Sequence, residues 1–167
     1  TESIEENIRL IKSQTINCAF IALHGRFGED GQIQEILEEL QLPYTGSGVM
    51  ACRLAMDKVA SRSIFNNYGL NVPKYIVFDK SSYNKDGKFI NNLGLPLVIK
   101  PATNGSSIGL SIIDKEEEIV KAADLAFTFD ERIIIEEYIR GRELTVGVLD
   151  NRALPEIEII PKRLFFD

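Results

Sequence analysis

The sequence predicts an α/β segment leading into an α+β segment whose strands run antiparallel. Three observations carry this reading. Residues 4–40 follow the order helix, strand, loop, helix. The stretch "LPYTGSGV" (42–49) then interrupts the pattern with turn-forming residues. Beyond Pro73, five strand-like runs follow with one helical segment among them.

Taken in order, "SIEENIRLIKSQ" sets Ile4, Ile8 and Ile11 on one face and predicts an amphipathic helix capped by Ser3. "NCAFIAL" is a continuous apolar run, expected of a parallel strand covered on both faces. The loop "HGRFGEDG" leaves the carboxyl end of that strand, where ligands bind in open α/β sheets. "QIQEILEEL" then predicts a helix with Ile33, Ile36, Leu37 and Leu40 facing inward. "AMDKVASRSIFNNYGL" reads as one helix stopped by Gly69, with Pro73 beyond it. The strands "VPKYIVF", "PLVIK", "GLSII", "RIIIEEYI" and "ELTVGVL" follow, with the helix "KEEEIVKAADLAF" between the third and fourth. A polar loop holding Asp86-Gly87 separates the first two strands. "LTVGVLDNRALPEIEI" predicts a hairpin turning at Asp150-Asn151-Arg152.

Composition bounds the function. With 44% hydrophobic and 26% charged residues, the 167-residue chain can bury a core as one domain or parts of two. A net charge of −6 argues against a nucleic-acid surface, although a local polyanion site remains open. The two cysteines, Cys18 and Cys52, form no disulfide or metal spacing, so a reducing cytoplasm is expected. Neither a signal peptide nor a long apolar span is visible, so no membrane partner is expected. The chain starts at Thr1 and ends on "KRLFFD" without a terminator, and both ends are expected to continue into something longer.

Four stretches bear chemistry, each with a plainer reading beside it. In "VIKPATNGSSIGLSII" (98–113), Lys100 ends a strand and Gly105, Ser106, Ser107 and Gly109 form a loop. Backbone N–H groups of such a loop can converge on phosphate oxygens, with the lysine adding charge. A Walker loop carries its lysine after the glycines, so this is not one; a hairpin with a surface lysine is the alternative. Lys58 in "MDKVASR" is by itself an ordinary solvated helical lysine. In "IIIEEYIRGREL", Glu136 or Glu143 could accept hydrogen bonds from an amine or ribose hydroxyls, or be solvated acids at a strand end. His24, beside Glu29 and Asp30, is either a strand-end residue or part of a substrate-contacting loop, with the two acids otherwise suited to a helix N-terminus.

Their order is more specific than any one of them. The series "HGRFGEDGQIQEILEELQLPYTGSGVMA…MDK", "PLVIKPATNGSSIGLS", "IIIEEYIRGRELTVGVL" and "ALPEIEI" resembles the D-alanine–D-alanine ligases, ATP-grasp enzymes of peptidoglycan synthesis, from about Asn17 to Asp167. The resemblance implies an ATP-grasp fold incomplete at both ends. Residues 1–46 would close an N-terminal α/β domain, 47–136 would form the central subdomain, and 137–167 would begin the C-terminal one. Lys58 and Lys100 would contact ATP phosphates beneath a closing loop of Gly105, Ser106, Ser107 and Gly109, with Ser106 in a hydrogen-bonded group near the substrate. Glu136 would receive the adenine amine, backbone groups of Glu137 and Ile139 would meet the adenine edge, Tyr138 would lie alongside, and Glu143 would hold the ribose. His24 would stand near the first D-alanine and its acyl phosphate.

The resemblance also implies Mg2+ (or Mn2+), with ligands expected beyond Asp167, and a homodimer. Other segments the family uses should precede Thr1 or follow "LFFD", so these residues alone are expected not to complete catalysis. Glu35 and Arg62 depart from the family pattern and are expected to be surface changes. The alternatives within this frame are a D-alanine–D-lactate or D-alanine–D-serine ligase, and a non-catalytic ATP-binding fragment.

Overall fold

A computed structural model describes residues 4–83 and 93–160. Ser3, the Asp86-Gly87 loop and "KRLFFD" lie outside the described residues. The chain divides into two compact units, Thr1–Ser61 and Arg62–Asp167.

In the first unit, α1 spans Ile4–Ser13 and α2 spans Gln32–Glu39. Leu37 is buried in α2 with Gln34 one turn before it, while Ile33, Ile36 and Leu40 are half-buried. The expected strand "NCAFIAL" is reduced to a single parallel bridge, Ala19 with Tyr44. A continuous apolar run needs hydrogen-bonded neighbours to become a covered strand. Here its backbone bonds run to Pro43 and Thr45, and Phe20 stays 80% exposed.

The loop after this run is held by its own acids. Glu29 Oε2 accepts from the Gly25 N–H at 2.6 Å. Asp30 accepts from the Phe27 N–H at 3.0 Å, the Gln32 N–H at 3.2 Å and the Gln32 side-chain amide at 2.6 Å. Partial burial pushes the Asp30 carboxyl up, but these donors outweigh it and leave it below its ordinary 3.8.

α3 spans Val49–Met56 and α4 spans Lys58–Asn67, so the single helix expected over "AMDKVASRSIFNNYGL" (55–70) is interrupted near its start. Asp57 breaks it: its backbone is extended, and its Oδ1 accepts from the N–H groups of Val59 and Ala60 at 2.9 and 3.1 Å. It therefore caps α4. α4 crosses from Ser61 into the second unit and ends as expected at Gly69, whose φ of +72° closes a Schellman turn. There the Leu70 N–H reaches the Phe65 carbonyl and the Gly69 N–H reaches that of Asn66.

The second unit is built on a four-stranded antiparallel sheet: β1 (Tyr75–Asp79), β2 (Leu97–Pro101), β3 (Ser111–Ile113) and β4 (Arg132–Glu137). Its order is β1-β4-β2-β3. After a 3-10 turn at Glu116–Glu118, α5 (Ile119–Ala126) joins β3 to β4 and packs on one face. Its buried positions, Ile119, Ala122, Ala123 and Ala126, make a single stripe, and the small alanines let the helix sit close. Beneath it lie Leu97, Ile99, Ile113, Ile133 and Ile135, with Ile76 and Phe78 at the margin. Alternation sends Val98, Lys100, Ile134 and Glu136 to the opposite face, along with Tyr75 and Val77.

Short strand pairs complete the described chain: β5 (Glu143–Thr145) with β8 (Ile157–Ile159), and β6 (Val148–Leu149) with β7 (Arg152–Ala153). The β6–β7 turn is Asp150-Asn151, both at positive φ as a two-residue I′ turn requires, and Arg152 already belongs to β7.

The β2–β3 connection has pinned roots. The Thr103 N–H and hydroxyl both donate to Asp130 Oδ2 at 2.7 Å, and the Asn104 side-chain amide donates to the Phe129 carbonyl at 2.9 Å. At the other root Gly109 adopts φ +69°, and a Cβ there would sit 2.7 Å from the Phe129 ring and 2.9 Å from Pro101 Cγ. Gly105, nearer the tip, has nothing within 4 Å of such a Cβ.

Two expected outcomes follow from this geometry. Gly109→Ala should cost about 1–3 kcal/mol through strain and overlap. Gly105→Ala should cost less than about 1 kcal/mol. Urea denaturation of both variants checks the contrast, and equal costs would contradict it. For Asp30, a folded-state pKa below 3.8 means its contribution is present above that pH and fades as pH falls through the folded value. The stability gap between wild type and Asp30→Ala should therefore be widest near neutrality and shrink at acid pH. A gap unchanged between about pH 7 and pH 2 would refute it.

Candidate functional site

The sheet face opposite α5 carries a charged group that its strands and α4 assemble. Glu136 on β4 stands directly across from Val98 on β2, so Lys100 lies diagonally from it on the same face. A lysine stem spans that diagonal, and Lys100 Nζ meets Glu136 Oε1 at 2.5 Å. On the other side Tyr75 on β1 is Glu136's register partner. The Arg62 guanidinium lies 5.0 Å from the centre of the Tyr75 ring and its Nη2 pairs with Glu136 Oε2.

This corrects the expectation that Arg62 is a surface change, because the residue is only 9% exposed. Sequence position gives no warning: a cation five residues into a helix is normally solvated. The cue is pairwise, a second cation near a glutamate that alternation turns inward. Glu35, by contrast, lies at the surface and pairs with Arg53 at 2.6 Å.

The side chain of Glu136 is 7% exposed, against 10% for Arg62 and 18% for Lys100. A carboxylate so placed needs its cations, since removing one member of a buried charged group costs about 3–5 kcal/mol. Two cations on one carboxylate leave one positive charge in excess on this face. Among the described residues the buried Arg62 Nη1 has no hydrogen-bond partner. The arrangement is one that an anion would complete.

The remaining expected residues are distributed as follows. Ser106 is exposed at the tip of the β2–β3 loop with φ +53°, and Ser107 accepts the Leu110 N–H at 3.2 Å. Gly105 and Gly109 flank these serines, one open and one packed. The Glu137 N–H is spent on the Lys74 carbonyl at 3.0 Å, so any contact it makes with a heterocycle edge must use its carbonyl. Its side chain accepts the Lys74 N–H at 2.9 Å. Tyr138 is half-buried, with its N–H on the Pro96 carbonyl, and Ile139 is exposed as the chain leaves the sheet.

Glu143 is exposed on β5. Beside it, Arg142 forks onto Glu158 with bonds of 2.9 and 2.8 Å, clamping β5 to β8 and holding the Glu158 carboxyl below its ordinary range. His24 is exposed at the head of the loop in the first unit, and Lys58 is the first residue of α4. Lys100 and Glu136 are thus brought into direct contact, and Arg62, Asp57, Thr103 and Asp130 are the supporting residues that sequence reading missed.

Among the described residues no group of three or more His, Cys, Asp or Glu side chains could hold a metal ion. Nor is any described helix long and apolar enough to cross a membrane.

Known proteins give this geometry its family. The D-ala D-ala ligase N-terminus model matches residues 2–47, and the D-ala D-ala ligase C-terminus model matches residues 64–167. A D-alanine–D-alanine ligase of Geobacter sulfurreducens is 42% identical over 159 residues, covering 95% of this chain and 50% of the relative. The crystal structure of D-alanine–D-alanine ligase from Bacillus anthracis superposes with a TM-score of 0.86 at 36% identity, over 99% of this chain and 54% of that one. A crystal structure of D-alanine–D-alanine ligase from Bacillus anthracis complexed with ATP gives a TM-score of 0.81 at 34% identity, over 93% of this chain and 53% of that one. The chain spans about half the length of the curated relatives it matches. With both family models matched and this fold shared, the chain belongs to the D-alanine–D-alanine ligase family and carries part of its ATP-grasp fold.

Proposed function

We propose that these residues form the nucleotide-binding part of an enzyme that joins two D-alanines at the expense of ATP. The single observation that carries the reading is the buried Lys100–Glu136–Arg62 group with its excess positive charge. Family membership adds the substrate class, and one relative is solved complexed with ATP.

In this reading the triphosphate draws Lys100 toward it, and Glu136 turns a freed oxygen to the amine of adenine. The Glu137 carbonyl and Ile139 backbone meet the base edge, Tyr138 flanks it, and Glu143 takes the ribose hydroxyls. Gly105, Ser106, Ser107 and Gly109 belong to the loop that closes over the phosphates. Lys58 adds a second phosphate contact, and His24 attends the first D-alanine.

Chemically, the D-alanine carboxylate attacks the γ-phosphorus and ADP departs, leaving an acyl phosphate. The amine of the second D-alanine attacks the carbonyl carbon, expels phosphate and loses a proton to give the dipeptide. Two anions must approach in the first step, and the lysines offset their repulsion. The loop keeps water from the acyl phosphate. Magnesium, when bound, would supply further charge neutralisation in such transfers. The same reading takes 1–46, 47–136 and 137–167 as domain segments, with a cytoplasmic, homodimeric enzyme of peptidoglycan synthesis as its setting.

Lys100→Ala in the intact enzyme tests this. A charge-assisted bond to phosphate is worth about ten- to hundred-fold in affinity. The KM for ATP should rise by that much while the KM for D-alanine moves less than about twofold, with folding checked by circular dichroism. Unchanged use of ATP by a folded variant would remove Lys100 from the site.

A further inference from the structure

Glu136 is gripped from two sides by groups of unequal freedom. Lys100 reaches it on a flexible stem from the neighbouring strand and is the most exposed of the three. Arg62 reaches it from α4 with its guanidinium over the Tyr75 ring, and Tyr75 is the cross-strand neighbour of Glu136 itself. The planar guanidinium therefore touches both members of one register pair. Lys100 can swing away from this arrangement, whereas Arg62 cannot do so without losing the ring as well.

The two cations also occupy different oxygens. Lys100 lies on Oε1 and Arg62 on Oε2. If Lys100 leaves for a phosphate, Oε1 becomes an acceptor with no donor, while Oε2 stays fixed. With Arg62 present, the pair left behind is neutral. Without it, Glu136 would be an unpaired buried carboxylate and would hold Lys100 back.

We propose that Arg62 is a positioning residue for nucleobase selection: it fixes Glu136 so that Oε1, vacated by Lys100, accepts an exocyclic amine and repels a 6-oxo group. The proposal rests on the assignment of Glu136 to the adenine amine given above. It makes Arg62 a determinant of the choice between a 6-amino and a 6-oxo purine triphosphate, acting entirely through Glu136.

The test compares kcat/KM for ATP and inosine triphosphate in the intact enzyme and in Arg62→Met, Arg62→Lys and Glu136→Gln. The ATP preference should fall by about tenfold or more in Arg62→Met, the worth of a hydrogen bond to a charged group, and Arg62→Lys should recover most of it. General loss of structure lowers both substrates alike and leaves the ratio unchanged. A ratio within about twofold of wild type in Arg62→Met, with Glu136→Gln lowering it, would overturn the role of Arg62. A ratio unchanged in Glu136→Gln as well would instead overturn the adenine assignment of Glu136. Should Arg62→Met fail to fold, Arg62→Gln is read by the same ratio.

Discussion

A buried carboxylate on the sheet face opposite α5 is the constraint around which the second unit is arranged. Glu136 follows three isoleucines on β4, and alternation gives it no choice of face: Ile133 and Ile135 go to α5, so Ile134 and Glu136 go the other way. A buried carboxylate left alone would cost far more than a domain can spare, so its partners must be supplied by structure. Lys100 comes from the adjoining strand because the register puts it on the diagonal, and Arg62 comes from α4. The ionic group therefore ties helix, strand and strand together, and any shift of register by one residue would separate all three.

The two faces of the sheet divide the labour. The α5 face is apolar, with Ile99, Ile133 and Ile135 fully buried under alanines that admit close packing. It fixes the strands in place without specifying any chemistry. The opposite face carries the charges, and their positions inherit the rigidity of the first. That is why a four-stranded sheet can present a buried carboxylate and its partner lysine at a defined spacing.

What could be read in the sequence was what depends on neighbours in the chain. The strands β1 to β4, α5, the Gly69 stop and the β6–β7 turn follow from local periodicity and turn chemistry, whereas the expected strand "ELTVGVL" is broken at Val146-Gly147 into β5 and β6. The misses have three kinds of cause. Asp57 is a local signal that was overridden by the helical pattern on either side, although an aspartate before a helix start is a capping residue. Arg62, Thr103 and Asp130 draw their roles from residues far along the chain, which no window on the sequence contains. "NCAFIAL" failed differently, since its composition suits a covered strand but only Tyr44 pairs with it among the described residues. Of the candidate site, Lys100 and Glu136 were legible through the order of motifs, and their contact required the sheet register.

The β2–β3 loop and the ionic group share their supports, and this limits what the loop can do. β2 carries Lys100 and passes directly into Thr103 and Asn104, which are tied to Asp130 and Phe129 just ahead of β4 and Glu136. At the far root, Gly109 is pressed against Phe129 and Pro101. Between these anchors, a residue two positions past Asn104 lies at most about 7 Å from it. Such a loop cannot fold over a distant ligand. Its tip serves only what lies near the end of β2, where Lys100 already stands. The loop is thus short in reach, and that property comes from the bonds of Asp130 and the packing at Gly109 rather than from its serines.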